Sequence, residues 1–256
     1  MRFDTDVLII GGGPVGLYLA GRLLQKGIDC KVIEKKRKID QHSKSLGIHP
    51  VSLELFDRAG ITEKFLHKGL KISKGIAYWN RDHLGEISFE ACPRPHNYIL
   101  AIPQWQSEQI LEEWVHSLNP ESIVRGAEVY SISQGSGVHV ITSLNGMKNE
   151  LSSRYAVGCD GKKSLIRHSL EIPFQGGPYP DTYVMGDFED NTDFGPDAAV
   201  FIHHQGLIES FPLPNGLRRW VVKTDQYLSK PHADHIHRLL LNRLDHSLAS
   251  CEHEMV

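Results

Sequence analysis

Three glycines and one acid carry the clearest chemistry in this chain. Gly11, Gly13 and Gly16 stand in G-x-G-x-x-G spacing after the apolar run Val7-Leu8-Ile9-Ile10, and Glu34 ends a second expected strand, Cys30-Lys31-Val32-Ile33. Free backbone N–H groups and the dipole at a helix start both favour an anion, so such a turn suits a pyrophosphate. Gly11 would make the turn, Gly13 would bare the backbone to the phosphates, and Gly16 would let helix and strand pack closely. Pro14 suits the first helical position, where its missing N–H costs nothing. Glu34 is spaced to bind ribose hydroxyls. A bound dinucleotide would thus meet Gly11, Gly13, Pro14, Val15, Gly16, Glu34 and Lys35. The plainer alternative is an ordinary βαβ turn with Glu34 in solvent. Lys35, Lys36 and Arg37 could meet a 2′-phosphate, but Glu34 would repel one, and a solvated basic face is the simpler reading.

A second glycine turn follows the run Tyr155-Ala156-Val157. It reads Gly158-Cys159-Asp160-Gly161, with Ser164 and Arg167 downstream. Asp160 either serves a ligand or caps a helix starting at Lys162. Arg167 would be a cation near that helix's C-terminus.

The elements that must position these turns follow from periodicity. Strand, helix and strand fill 5–34, with Val15, Leu19, Ala20 and Leu23 marking one helical face. A helix is expected from Pro50 to Arg58, closed by Gly60, and another over 104–118 with Ile110, Trp114 and Leu118 in one row. Strands are expected near 75–79, 87–89 and 98–102, then a β-meander over 122–157 with a hairpin at Asn145-Gly146. Further strands near 182–188, 198–203, 206–211 and 217–223 suggest a second, mostly antiparallel sheet. A final helix is expected over 232–248 on the row Ile236, Leu240, Leu244 and Leu248.

Composition narrows the function classes. The 256 residues are 40% hydrophobic and 23% charged, with a net charge of −3, which offers no basic field for nucleic acid. The four cysteines form no C-x-x-C pair, against a zinc site or disulfide scaffold and in keeping with a reducing compartment. Asp4, Asp6 and the Gly11–Pro14 interruption argue against a signal peptide, and no run reaches the roughly 20 apolar residues of a membrane span. A cytoplasmic protein is expected. His232, His235 and His237 cluster, but His232 and His235 would share an outer helix face with no third ligand nearby, so surface histidines are expected there and no metal.

The two glycine turns, separated by a helix and a β-meander, resemble those of FAD-dependent aromatic hydroxylases of the para-hydroxybenzoate hydroxylase type. The match is best across 5–60, 98–130 and 155–175. Gly11, Gly13, Gly16 and Glu34 are similar to that family's ADP-binding fingerprint, and Gly158–Gly161 with Ser164 and Arg167 to its second motif. In the family that motif lies near the FAD pyrophosphate and the nicotinamide path. Leu46-Gly47-Ile48-His49-Pro50 and Pro103-Gln104 are also similar to family segments.

The resemblance implies FAD as cofactor, NAD(P)H as co-substrate, and dioxygen-dependent hydroxylation of an aromatic or similar small molecule. It implies an α/β fold: a Rossmann-like FAD-binding domain with a β-meander over 1–72 and 98–175, and a mostly antiparallel substrate domain over 73–97 and 176–256. It adds Lys44, Gln104, Asp160 and Gly161 to the expected cofactor contacts, though Gln104 also reads as an ordinary first-turn helix residue. Lys44 stands where the family usually has Arg, keeping the charge and losing the planar fork. No side chain need act as a nucleophile, so no catalytic residue is singled out. The expected partner is a small-molecule substrate, with a homo-oligomer left open and neither nucleic acid nor membrane.

The family's third motif, a Gly-Asp before Ala-Ala-His-like residues and a proline, has no counterpart before Val256. Gly186-Asp187 lies inside an expected strand and reads as a decoy. The chain therefore reads as the N-terminal portion of such a hydroxylase, C-terminally incomplete. The alternatives are an FAD- or nucleotide-binding fragment without catalysis, and a different FAD-dependent oxidoreductase. A nicotinamide-dependent dehydrogenase finds no support, because an Asp-Gly turn after a meander is foreign to that plan. Phe201, Phe211, Trp220 and Tyr183 could line a substrate pocket, but aromatics at strand spacing are more often core.

Overall fold

A computed structural model describes residues 3–41, 45–248, 251 and 253–255. In chain order the elements are β1 (Thr5–Ile10), α1 (Pro14–Gln25), β2 (Cys30–Glu34), β3 (Gly47–Ile48), α2 (Pro50–Ala59), α3 (Thr62–Leu66), β4 (Leu70–Ile72), β5 (Lys74–Trp79) and β6 (Asp82–Ser88). There follow β7 (Ile99–Ala101), α4 (Gln104–Leu118), β8 (Ile123–Arg125), β9 (Ala127–Gln134), β10 (Val138–Leu144), β11 (Met147–Gly158) and α5 (Leu165–Ser169). The last are β12 (Thr182–Glu189), β13 (Ala198–Ile202), β14 (Ile208–Leu213), β15 (Leu217–Thr224), α6 (Ala233–Leu244) and β16 (His253–Met255).

The chain divides into two compact units, 1–43 with 104–177 and 44–103 with 178–256. These limits differ from the sequence expectation at 44–72 and 98–103. The reason is strand pairing: β3 and β4 both pair with β7, so those segments group with the second unit.

In the first unit six strands run in the order β8-β2-β1-β11-β10-β9. β1 lies parallel to both β2 and β11, and β8 extends the parallel part beside β2. The expected meander is therefore β9-β10-β11 alone, with β8 outside it. Leu8, Ile9 and Ile10 are buried as a continuous run, the pattern of a parallel strand covered on both faces. Asn145 and Gly146 both adopt positive φ, 53° and 81°, which a two-residue hairpin turn requires. The expected face of α1 is corrected: its buried residues are Gly16, Leu17, Ala20 and Gly21, whereas Val15 is 71% exposed. The Trp114 ring of α4 occupies the space a side chain at Gly21 would need.

In the second unit a seven-stranded sheet has the order β16-β12-β15-β14-β13-β5-β6. All its pairs are antiparallel except β13 with β5. A smaller sheet, β3-β7-β4, joins it through a cluster containing Ile72, Ala101, Ala198 and Phe211. Ile236, Leu240 and Leu244 of α6 pack on Phe201, Trp220 and Val222. Phe201 and Trp220 are thus core, and Tyr183 is 45% exposed. The helix stops at Leu244, short of the expected 248, because Asp245 turns left-handed at φ 56°.

The histidine cluster has local roles: the His235 Nδ1 accepts from the His232 N–H at 3.0 Å as part of a capping box, and the His237 Nδ1 accepts from the Leu248 N–H at 3.0 Å. Asp187 of the Gly186-Asp187 pair sits within β12 and accepts two bonds from buried Arg219, at 2.6 and 2.7 Å. No helix among the described residues is long and apolar enough to cross a membrane, and Cys30, Cys92 and Cys159 are free thiols.

Candidate dinucleotide site

The two glycine turns meet back to back in the first unit. The Gly11 N–H donates to the Ile33 carbonyl at 2.9 Å, and the Cys159 N–H donates to the Ile10 carbonyl at 2.7 Å. Gly11 has φ +110°, and a side chain there would strike the Cys159 carbonyl; one at Gly16 would strike the Gly11 carbonyl. These two glycines are therefore required by close backbone approach, as the fingerprint spacing implies.

Gly13 differs. A Cβ on it meets nothing within 4 Å. It opens on a cavity of about 590 Å³, which also takes in Gly11, Pro14, Val15, Glu34, Lys35, Asp160 and Gly161. No side chain caps α1 at Gly13, so its first N–H groups are left for a ligand. This bare, uncapped helix start fits a phosphate group.

Glu34 is held in place before any ligand arrives. Its Oε2 accepts from the Gly12 N–H at 2.6 Å and its Oε1 from the Lys36 N–H at 2.8 Å. Each oxygen keeps a further lone pair for a hydroxyl donor. A side chain at Gly12 would sit 2.9 Å from the Glu34 Cβ, so Gly12 also has a role, which the fingerprint pattern does not announce. Lys36, read from the sequence as part of a solvated basic face, lies in the cavity wall, as do Glu128 and Lys163, which sequence reasoning missed. The only signal for Lys163 was its place beside the second motif.

Asp160 does not cap a helix at Lys162. The helix begins at Leu165, and its N-cap is Ser164, whose Oγ accepts from the Arg167 N–H at 3.0 Å. Asp160 accepts the Ile166 N–H through Oδ2 at 3.3 Å, and its Oδ1 is buried without a partner. An unmatched carboxylate oxygen in a cavity wall is costly unless a donor arrives. Arg167 donates to the Lys162 carbonyl at 2.7 Å and stacks on Phe174. Burial, and next the Asp160 charge, push the Cys159 thiol up, which makes it a poor nucleophile.

Gln104 opens α4 and its Nε2 donates to the Glu108 carboxylate at 2.8 Å; it is not in the cavity wall. Lys44 lies outside the described residues. Among the described residues no three His, Cys, Asp or Glu gather as a metal site.

This geometry separates cap from ligand contact. Ser164→Ala should cost about 1 kcal/mol of stability as a lost cap. Asp160→Asn should leave stability nearly unchanged and weaken dinucleotide binding about tenfold, the loss of one charge-assisted bond. Urea melts and ligand titration of both variants check this; an Asp160→Asn protein that is destabilised yet binds normally would make Asp160 purely structural.

The FAD binding domain family matches residues 4–249. The chain is 37% identical over 190 residues to an uncharacterized aromatic compound monooxygenase, YhjG, of Bacillus subtilis (strain 168), a match covering 73% of this chain and 37% of that protein. It is 31% identical over 223 residues to the rifampicin monooxygenase of Streptomyces venezuelae, covering 86% of this chain and 46% of that protein. The chain thus spans less than half the length of these curated relatives. The p-nitrophenol 4-monooxygenase PnpA of Pseudomonas putida DLL-E4 superposes with a TM-score of 0.86 at 20% identity, over 99% of this chain and 67% of that one. PieE, a flavin-dependent monooxygenase solved with FAD and substrate, superposes with a TM-score of 0.84 at 17% identity, over 99% of this chain and 49% of that one. These two likenesses show the fold. Matched along nearly its whole length, the chain belongs to the FAD binding domain family, that of the FAD-dependent aromatic hydroxylases its two glycine turns resemble.

Proposed function

We propose that this chain is the FAD-holding and substrate-holding portion of a monooxygenase that hydroxylates an aromatic or similar small organic molecule with NAD(P)H and dioxygen. The observation that supports it most is the shared cavity, where Gly13 is open and an Asp160 oxygen lacks a partner. In this reading the first unit serves the cofactor and the second unit the substrate.

The start of α1 and the bare backbone at Gly13 hold the pyrophosphate, with Pro14 and Val15 beside it. Glu34 orients the adenosine ribose through its remaining lone pairs. Lys35, Lys36 and Lys163 supply positive charge around the anion. Asp160 and Gly161, which line the same cavity, carry the second contact. Lys44 and Gln104 belong to the proposal on family resemblance alone. When bound, FAD supplies hydride acceptance from NAD(P)H and activation of dioxygen. The protein's own part is to bind, orient and exclude water. Joined to the remainder of such a hydroxylase and given FAD, a nicotinamide and a panel of phenols, the chain should place one oxygen of isotopically labelled dioxygen in the product. A complete protein that yields only hydrogen peroxide, or oxidises no nicotinamide, contradicts the proposal.

A further inference from the structure

The large sheet of the second unit has two unlike faces. Ile208, Trp220, Val222, Val184 and Ala199 belong to the core cluster packed by α6. Alternation along the strands puts the intervening residues on the other face. There the register makes a row: Met185 opposite Val221, Val221 opposite Glu209, Glu209 opposite Val200, and Val200 opposite Ala77. One acid therefore stands in the middle of four apolar neighbours, and all five are half-buried.

The surroundings of this row are specific. Phe211, two residues along β14 on the same face, packs with Ile72 and Ala101 of the small sheet, which walls one end. The cations diagonal to Glu209 are engaged elsewhere: Lys223 with Asp181, and Arg219 with Asp187. Arg219 is also sealed, its side chain only 1% exposed. Among the described residues the Glu209 side chain has neither a hydrogen-bond nor an ion-pair partner. Burial pushes its carboxyl up. An unpaired acid on an apolar sheet face is unfavourable for folding alone, and a ligand that donates a hydrogen bond would relieve it.

We propose that Glu209 is a substrate-recognition residue, accepting the ring hydroxyl of a neutral phenol laid on the Met185–Ala77 row and disfavouring the same ring as a phenolate. This rests on the monooxygenase reading and names its substrate class. The apolar row offers area to the ring face. The carboxylate accepts hydrogen bonds and donates none. A phenolate beside it would bring two negative charges together where water screens them poorly.

The test is equilibrium dialysis of 4-nitrophenol against the FAD-loaded protein across the pH range of the ligand's own ionisation. The wild type should bind about tenfold more weakly once the ligand is a phenolate, and Glu209→Gln and Glu209→Leu should change by less than about threefold. Flavin fluorescence should report equal FAD affinity in all three, which shows that the variants are folded. Phenolate bound by the wild type as tightly as phenol overturns the proposal. So does an unchanged pH dependence in both variants, or FAD-loaded wild type that binds no 4-nitrophenol. A chain that binds no FAD overturns the monooxygenase reading itself, and the proposal with it.

Discussion

Gly13→Val should leave the fold standing and strip the protein of FAD. A Cβ at Gly13 meets no atom within 4 Å, and the backbone there has φ −79°, which any residue adopts. The unfolding midpoint should therefore shift by no more than the equivalent of about 0.5 kcal/mol. The space such a side chain fills is the approach to the start of α1. Backbone bonds to charged phosphate oxygens are worth about 1.5–3 kcal/mol each, so losing two of them weakens FAD binding by about a hundredfold or more. Gly16→Val is the informative contrast. Its side chain would strike the Gly11 carbonyl, and overpacking of this kind costs about 1–3 kcal/mol or more. That variant should lose FAD and melt early together, whereas Gly13→Val should lose FAD alone.

The second large effect is expected in the other unit. Asp187→Ala leaves Arg219, 1% exposed, without the carboxylate that receives both its Nε and its Nη2. Stranding a buried cation costs about 3–5 kcal/mol. A urea melt should show it as a strongly lowered midpoint. Replacing both partners with apolar residues of similar volume should recover most of the loss, because no unpaired charge then remains buried. If Asp187→Ala costs less than about 1 kcal/mol, the pair is not structural.

What could be read from the sequence was whatever periodicity and turn chemistry encode locally. The 104–118 helix follows from the spacing of Ile110 and Trp114, both buried in α4. The Gly60 stop of α2 and the Asn145-Gly146 hairpin follow from left-handed backbone positions. The glycine fingerprint and Glu34 are likewise local signals; Gly11, Gly13 and Glu34 share a cavity wall with Asp160 and Gly161, and Gly16 lies outside it.

Features that depend on distant partners were not legible. Val15 looks like part of the helix face by spacing, yet Leu17 and Gly21 are the buried positions, and Trp114 of another helix packs against Gly21. Asp160 looks like a cap, but Ser164, four residues nearer the helix, takes that role. The Arg219–Asp187 pair spans 32 residues and the His96–Asp57 contact 39. Strand pairing sets the first, and no motif spacing marks either. The same is true of Glu209, whose isolation appears only when the cross-strand row is known.

The central claim is that the cavity between the two glycine turns holds FAD. Its most direct test is a titration of FAD fluorescence with the purified chain, wild type and Gly13→Val side by side, with a thermal melt of each. The expected result is saturable binding of one FAD per chain by the wild type, and loss of that binding in a Gly13→Val protein that melts normally. Wild type that binds no FAD, or a Gly13→Val protein that binds it as tightly, would contradict the account.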